Sequence, residues 1–226
     1  MHALKLRTKI MYPVLLTLLP ALIIGGWILY LDRFEQEPAG LLLRAFGWGC
    51  ISTIPAFIFE RAFVGFFNTE TIIGTAGLCF GVIAVAEEGS KYFFLRRFLK
   101  TNPHFDTPFD GVVYSVMIGL GFATLENMLY VFGGDSVYNV AIARAFTAVP
   151  AHAIFAILMG IHVGLSRFDM RYNAFVGLIL AIFFHGAYDF FLMQETYQGL
   201  QIIAFLVLIW GARLSWRLIK ITRQNV

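Results

Sequence analysis

At 226 residues, 59% hydrophobic and 14% charged, with a mean hydropathy of +0.75, the chain is far more apolar than a water-soluble domain, in which about a quarter of residues are charged. Its formal charge of +3 comes from basic residues gathered at the ends of apolar runs, where they orient a chain in a bilayer, so neither a soluble globule nor a nucleic-acid binder is expected. Cys50 and Cys79 both fall inside apolar runs and read as small core residues, without a disulfide framework.

A helix needs roughly 20 residues to cross about 30 Å of hydrocarbon. Seven runs meet that length: 11–31, 39–60, 71–95, 110–132, 138–165, 173–192 and 199–219. The apolar residues come in unbroken runs, which excludes the alternating pattern of an outer-membrane barrel. The expected fold class is therefore all-α, a polytopic transmembrane helical bundle forming one integral-membrane domain over 1–226.

The first run has the basic start of a signal peptide, but its apolar part is long and no small-x-small cleavage site follows, so it reads as a retained span. The links are short; "DRFEQEPAG" and "RRFLKTNPHFDTPFDG" are the most polar. If all seven runs cross, Arg96, Arg97, Lys100, Arg167, Arg171, Arg217, Lys220 and Arg223 share one side, which the positive-inside bias makes cytoplasmic. The same arithmetic sets Lys5, Arg7 and Lys9 on the other side, against the rule. The N-terminal orientation therefore stays open, and the second run, with Arg44 and Pro55, is the weakest span.

Ionisable residues inside spans carry the functional signal, because a charge at mid-bilayer costs at least ~2.5 kcal/mol. They are Arg44, Glu87, Glu88, Lys91, Glu126, Arg144, His152, His162, His185 and Asp189. In "AVAEEGSKYFF" one helical face brings Lys91 against Glu88 or Glu87, while the two glutamates point about 100° apart, so one can face a cavity and the other support it. In "FFHGAYDFF" His185 and Asp189 are four apart on a common face; "GFATLENMLY" supplies Glu126 and Asn127, and "AVPAHAIFAIL" supplies His152. Depths from the cytoplasmic ends, at ~1.5 Å per residue, are about 12 Å for Glu87, 24 Å for Glu126, 20 Å for His152 and 18 Å for His185. Convergence needs only a small shift of boundaries.

Such a cluster suits water activation. Two histidines and a carboxylate form a zinc set, with His152, His185 and Glu88 as ligands and a second carboxylate as base. Without metal, a desolvated glutamate deprotonates water while histidine stabilises the oxyanion. Each group also has a plainer reading. The Glu-Glu-Lys face can be a buried ion pair and His152 a helix-to-helix hydrogen bond; His162 is interfacial, and His2 and His104 are solvated. Arg44 and Arg144 are expected to pair with a carboxylate or with carbonyls, Arg144 offsetting the cluster's negative charge. "GIHVG", with Gly160 and Gly164, is a packing contact. The supply of an acid or a histidine from each of four spans is what no plain reading predicts.

At these residues the chain resembles the PrsW family of intramembrane proteases, distant relatives of the CAAX prenyl-protease and Abi group. The family's Glu-Glu-x-x-Lys motif matches Glu87, Glu88 and Lys91, its Phe-x-x-x-Glu motif matches Phe122 and Glu126, its lone histidine matches His152, and its His-x-x-x-Asp/Asn motif matches His185 and Asp189. The wider CAAX group has histidine where this chain has Glu126. The resemblance implies an endopeptidase of the cell membrane that cuts a single-pass or membrane-associated protein, as its best-understood members cut a membrane-anchored anti-sigma factor. Glu87, Glu88, Lys91, Glu126, His152, His185 and Asp189 are the expected catalytic set, zinc the cofactor to test, and the lipid bilayer the remaining partner. The rival readings are a proton-coupled transporter or channel, although no paired repeats are visible, and a non-catalytic membrane scaffold.

Overall fold

The computed structural model describes residues 2–133, 137–197 and 199–224. The side chains of 2–13, 137, 138 and 224 lie outside the described set, and with them His2, Lys5, Arg7 and Lys9. The chain forms α1 (His2–Leu31), α2 (Ala39–Phe63), α3 (Ile72–Leu78), α4 (Ala84–Leu99), α5 (Asp110–Gly133), α6 (Val137–Phe146), α7 (Ala148–Phe168), α8 (Ala174–Met193) and α9 (Gln201–Gln224). A 3-10 turn, Val64–Phe66, follows α2, and a π-helical turn, Cys79–Ile83, joins α3 to α4. No strand occurs among the described residues.

Seven helical stretches are long and apolar enough to cross a membrane, as the apolar runs predict. The second is one of them: Pro55 lies within α2 without breaking it. Two spans differ from expectation. The third is α3, the π turn and α4 in series, and it ends at Leu99, four residues beyond the predicted boundary. The fifth is two helices parted at Thr147, whose φ of −121° and ψ of −67° leave the helical region. The break has a local cause. Pro150 has no N–H to offer the Phe146 carbonyl four residues earlier, and its ring crowds that carbonyl, so the helix restarts at Ala148 with Ala151 N–H bonding Thr147 O at 3.0 Å.

The bundle is built around α5 and α7. About three-quarters of each of their spans is buried (72% and 78%), against 28% for α1 and 22% for α9, which wrap the outside. α5 packs on α7 and α2, and α7 packs on α8. Close approach depends on glycine. A Cβ on Gly121 would strike the Phe46 carbonyl of α2, and one on Gly49 would strike the Ile118 carbonyl of α5. Gly160 and Gly164 bring α7 onto Gly111 and Pro108 at the start of α5, so the small-xxx-small motif is a packing contact as read. Cys50 and Cys79 are free thiols, and Cys79 is fully buried. Outward faces carry Leu22, Ile23, Leu43, Ile58, Phe205 and Ile209, the apolar surface that lipid requires.

Contacts fix which ends share a side. Tyr114 of α5 donates a hydrogen bond to Glu37, bringing the 32–38 link onto the start of α5. The Arg223 guanidinium lies 6.0 Å from the Phe109 ring, bringing the end of α9 to the same place. Lys100 and Arg167 line one groove. This is the basic side of the molecule. Arg44, near it on α2, is exposed and makes no ion pair or hydrogen bond among the described residues, which corrects the expected pairing. It is the sixth residue of its helix, close enough to an interface for a long side chain to reach water.

Candidate active site

The π turn determines where the acidic pair goes. An i→i+5 turn accommodates more chain than an α turn, so residues after Ile83 take a different rotational setting from the one that unbroken α periodicity would give. Glu87, Glu88 and Lys91 then all face inward and are buried. Ending α4 at Leu99 sets Glu87 about 6 Å deeper than the predicted boundary implied, level with the groups on α5, α7 and α8.

Lys91 Nζ donates to Glu88 Oε1 at 2.6 Å, lies 3.4 Å from Glu87 Oε2, and approaches His152 Nδ1 at 3.0 Å. The Phe122 ring lies beneath it, 4.1 Å from Nζ to centroid. An ammonium has no acceptor, so His152 Nδ1 must accept, and its Nε2–H then donates to Glu126 Oε2 at 2.9 Å. Glu126 is held in turn by Arg144 of α6, whose Nη2 is 2.8 Å from the same oxygen and whose Nε donates to Asn127 Oδ1 at 2.7 Å. Arg144 thus pairs with a carboxylate of the cluster, as expected.

His185 follows the same design. Its Nε2 is 3.1 Å from Asp189 Oδ2, and its Nδ1 is 2.7 Å from Glu88 Oε1. Phe155 stacks on the imidazole at 4.9 Å and an interplanar angle of 16°, which fixes the ring plane. Each histidine therefore has its Nε2 against a carboxylate from outside the Glu-Glu pair and turns Nδ1 toward the pair. One ligand atom from each of Glu87, Glu88, His152 and His185 lies within 4.8 Å of all the others, and all four residues are buried.

All seven predicted site residues, Glu87, Glu88, Lys91, Glu126, His152, His185 and Asp189, are brought together. His162 and Arg44 are not: His162 faces the Leu158 carbonyl of its own helix at 3.0 Å. One side of the cluster opens into a cavity of about 460 Å³ lined by Thr53, Phe57, Glu60, Glu87, Phe122, Glu126, Leu129, Tyr130 and Val140. Glu87 reaches this cavity, whereas Glu88 is completely buried behind it. Glu60 was not foreseen, because it fell on the predicted end of the second span; the signal was an acid, followed by Arg61, inside the otherwise apolar "FIFERAF".

The profile of the PrsW family, described as intramembrane metalloproteases, matches residues 37–212, a stretch that includes every residue of this cluster. The chain belongs to the PrsW family. Three proteins named Protease PrsW illustrate the similarity. The one from Geobacillus kaustophilus is 34% identical over 187 residues, covering 81% of this chain and 80% of the relative. The one from Clostridioides difficile is 33% identical over 209 residues, covering 89% and 88%. The one from Bacillus subtilis is 30% identical over 199 residues, covering 84% and 87%. No solved structure matches the chain.

Like other PrsW proteins, then, this chain is an intramembrane protease, a multi-pass protein of the cell membrane whose substrate is a protein. The donor set suits the metal in the family's description. Carboxylate and imidazole are zinc ligands, the second nitrogen of each histidine lies against a carboxylate as liganding histidines require, and Glu88 Oε2 is buried with no hydrogen-bond partner. A cation already lies among these donors in the form of the Lys91 ammonium.

Proposed function

We propose that this PrsW protease hydrolyses a peptide bond in a single-pass or membrane-anchored protein of the anti-sigma-factor kind, with Glu87 as general base and zinc as cofactor. The observation that carries the reading is the division of labour within the Glu-Glu pair. Glu87 meets the cavity, while Glu88 is locked behind it by Lys91 and His185.

Glu88, His152 and His185 are the residues that would hold the ion. Bound there, zinc supplies Lewis acidity, polarising the scissile carbonyl and easing water deprotonation. Glu87 takes the proton from water as it attacks the carbonyl carbon, and delivers that proton to the departing amine nitrogen. Glu126 and Asp189 hold the two imidazoles through their Nε2–H groups, and Arg144 anchors Glu126. With an ion present, Glu87 and the face of Phe122 remain as partners for the Lys91 ammonium.

The cavity walls define what can enter. Phe57, Phe122, Leu129, Tyr130 and Val140 offer an apolar lining that accepts hydrophobic side chains and keeps bulk water out, while Thr53 and Glu60 can receive backbone N–H groups of an unwound substrate. Glu60, Glu126 and Tyr130 lie toward the ends of α2 and α5 remote from the basic side. The cut therefore falls in the half of the membrane opposite the basic side.

The test uses purified full-length chain and a single-pass substrate in detergent. We expect one zinc per chain, loss of that zinc in His185→Ala and Glu88→Gln, and retained zinc without cleavage in Glu87→Gln. Cleavage by a chain stripped of metal, or normal turnover by Glu87→Gln, overturns the assignment.

A further inference from the structure

On the basic side, far from the catalytic cluster, a second groove of about 560 Å³ runs between the end of α4 and the end of α7. Arg96, Arg97 and Lys100 edge it from α4, and Arg167 edges it from α7. All four are exposed, and none makes an ion pair or side-chain hydrogen bond among the described residues. No carboxylate lines the groove; the other polar residues there are Asn102 and Ser166, whose hydroxyl donates to the Val163 carbonyl at 2.9 Å. The remaining wall is apolar, with Phe93, Leu99, Phe105 and Val163, and Phe105 is braced edge-on by Phe168 at 5.8 Å.

Topology alone asks for basic residues somewhere on this side. It does not ask that four from two helices distant in sequence surround one concavity, nor that the rest of that concavity be largely apolar. Four like charges gathered without a counter-charge repel one another, and the arrangement is relieved by an anion. Guanidinium groups match phosphate oxygens in bidentate geometry. The apolar wall continues toward the lipid-facing surface through Phe93, which is 62% exposed, so a bound anion carrying acyl chains has somewhere to lay them. Basic pockets between spans at the cytoplasmic interface bind acidic lipid headgroups for these reasons.

We propose that the α4–α7 groove is a binding site for the phosphodiester headgroup of an anionic phospholipid. Arg96, Arg97, Lys100 and Arg167 take the phosphate oxygens, Ser166 Oγ accepts from a headgroup hydroxyl, and the first acyl methylenes lie on Phe93. The site anchors the cytoplasmic end of α4, the helix that carries Glu87 and Glu88 at its other end. It is independent of the catalytic assignment.

The experiment titrates phosphatidylglycerol, and separately phosphatidylcholine, into the full-length chain in a neutral detergent micelle, which has no surface potential of its own. Bound lipid is counted by native mass spectrometry. We expect one phosphatidylglycerol to bind ahead of phosphatidylcholine, and Arg96→Gln with Arg167→Gln to weaken it roughly 30-fold. The control pair Arg217→Gln with Lys220→Gln removes the same charge from α9 on the same side and leaves affinity within about threefold. All four positions are exposed, and an unchanged melting temperature verifies that each variant is folded. Equal loss in the control pair, equal binding of the two lipids, or inorganic phosphate competing as tightly as lipid overturns the assignment. So does an acidic peptide that binds through Arg96 and Arg167 where phosphatidylglycerol does not.

Discussion

The bundle buries carboxylates in two places and handles them in opposite ways. In the candidate active site every acid but Glu60 has a basic partner: Glu87 and Glu88 have Lys91, Glu126 has Arg144 and His152, and Asp189 has His185. At the basic side Asp32, Glu37 and Asp110 are also buried, yet no ion pair reaches any of them among the described residues. The hydrogen bonds that they accept come from neutral donors instead. Asp110 accepts from Asp106 N–H, Thr107 N–H and the Thr107 hydroxyl, Glu37 accepts from Tyr114, and Asp32 Oδ2 has no hydrogen-bond partner among the described residues. Burial, reinforced by Asp110, pushes Asp32 up to about 7, and burial pushes Glu37 up to about 8 despite the Tyr114 hydrogen bond. The comparison separates acids set against lysine, arginine or histidine from acids that the fold holds with neutral donors. Paired ions in hydrocarbon are a poor device for stability alone, which argues that the first set is retained for what it does.

Four variants test that contrast. The largest effect is expected from Glu87→Gln, which keeps shape and hydrogen bonding but removes the base; turnover of a single-pass substrate falls by about 10²–10⁴-fold with the melting temperature unchanged. Glu126→Gln comes next. It releases His152 and Arg144, and loss of a partner behind a liganding histidine lowers activity or zinc affinity by roughly 10–100-fold, read by kcat and by metal titration. A smaller change is expected for Glu60→Gln, which alters the cavity wall without touching the histidines, so KM should shift by a few-fold while kcat holds. The smallest effect on cleavage, none, is expected for Asp32→Asn with Glu37→Gln.

That last pair should instead change how stability depends on pH. Both folded-state values are raised above the ordinary 3.8 and 4.5, so the folded chain binds more protons than the unfolded one between them. Their favourable contribution is complete below about pH 4 and is lost as pH rises through about 7 to 8. Melting temperature of the native chain should fall across that window, and the double variant should flatten the decline. Glu35, Asp110, Tyr114 and Arg223 also face these two groups and stay in place in the variant. An unflattened profile would mean that the two clusters are not handled differently after all.

Much of this was legible in the sequence, for identifiable reasons. Unbroken apolar runs leave helices as the available spanning structure, so seven spans could be placed. Charges inside them are costly enough that Glu87, Glu88, Lys91, Glu126, His152, His185 and Asp189 announced themselves. What was hidden depended on local geometry. The break at Thr147 follows from Pro150, but the residues on both sides are apolar and the run looked continuous. Arg44 looked like a buried charge because its position was counted from a run boundary, whereas its side chain is exposed. Glu60 was lost to the same boundary effect. Which glutamate faces the cavity could not be read from spacing, because spacing assumes an α turn throughout.

The five apolar residues Cys79–Ile83 therefore matter more than their composition suggests. Wind the same five residues with α bonding, and the hydropathy profile would not change at all, yet the acidic pair would be displaced around the helix axis by about 100°. The placement of the acidic pair in this membrane enzyme is keyed to the azimuth that a short length of grease imposes on its neighbours.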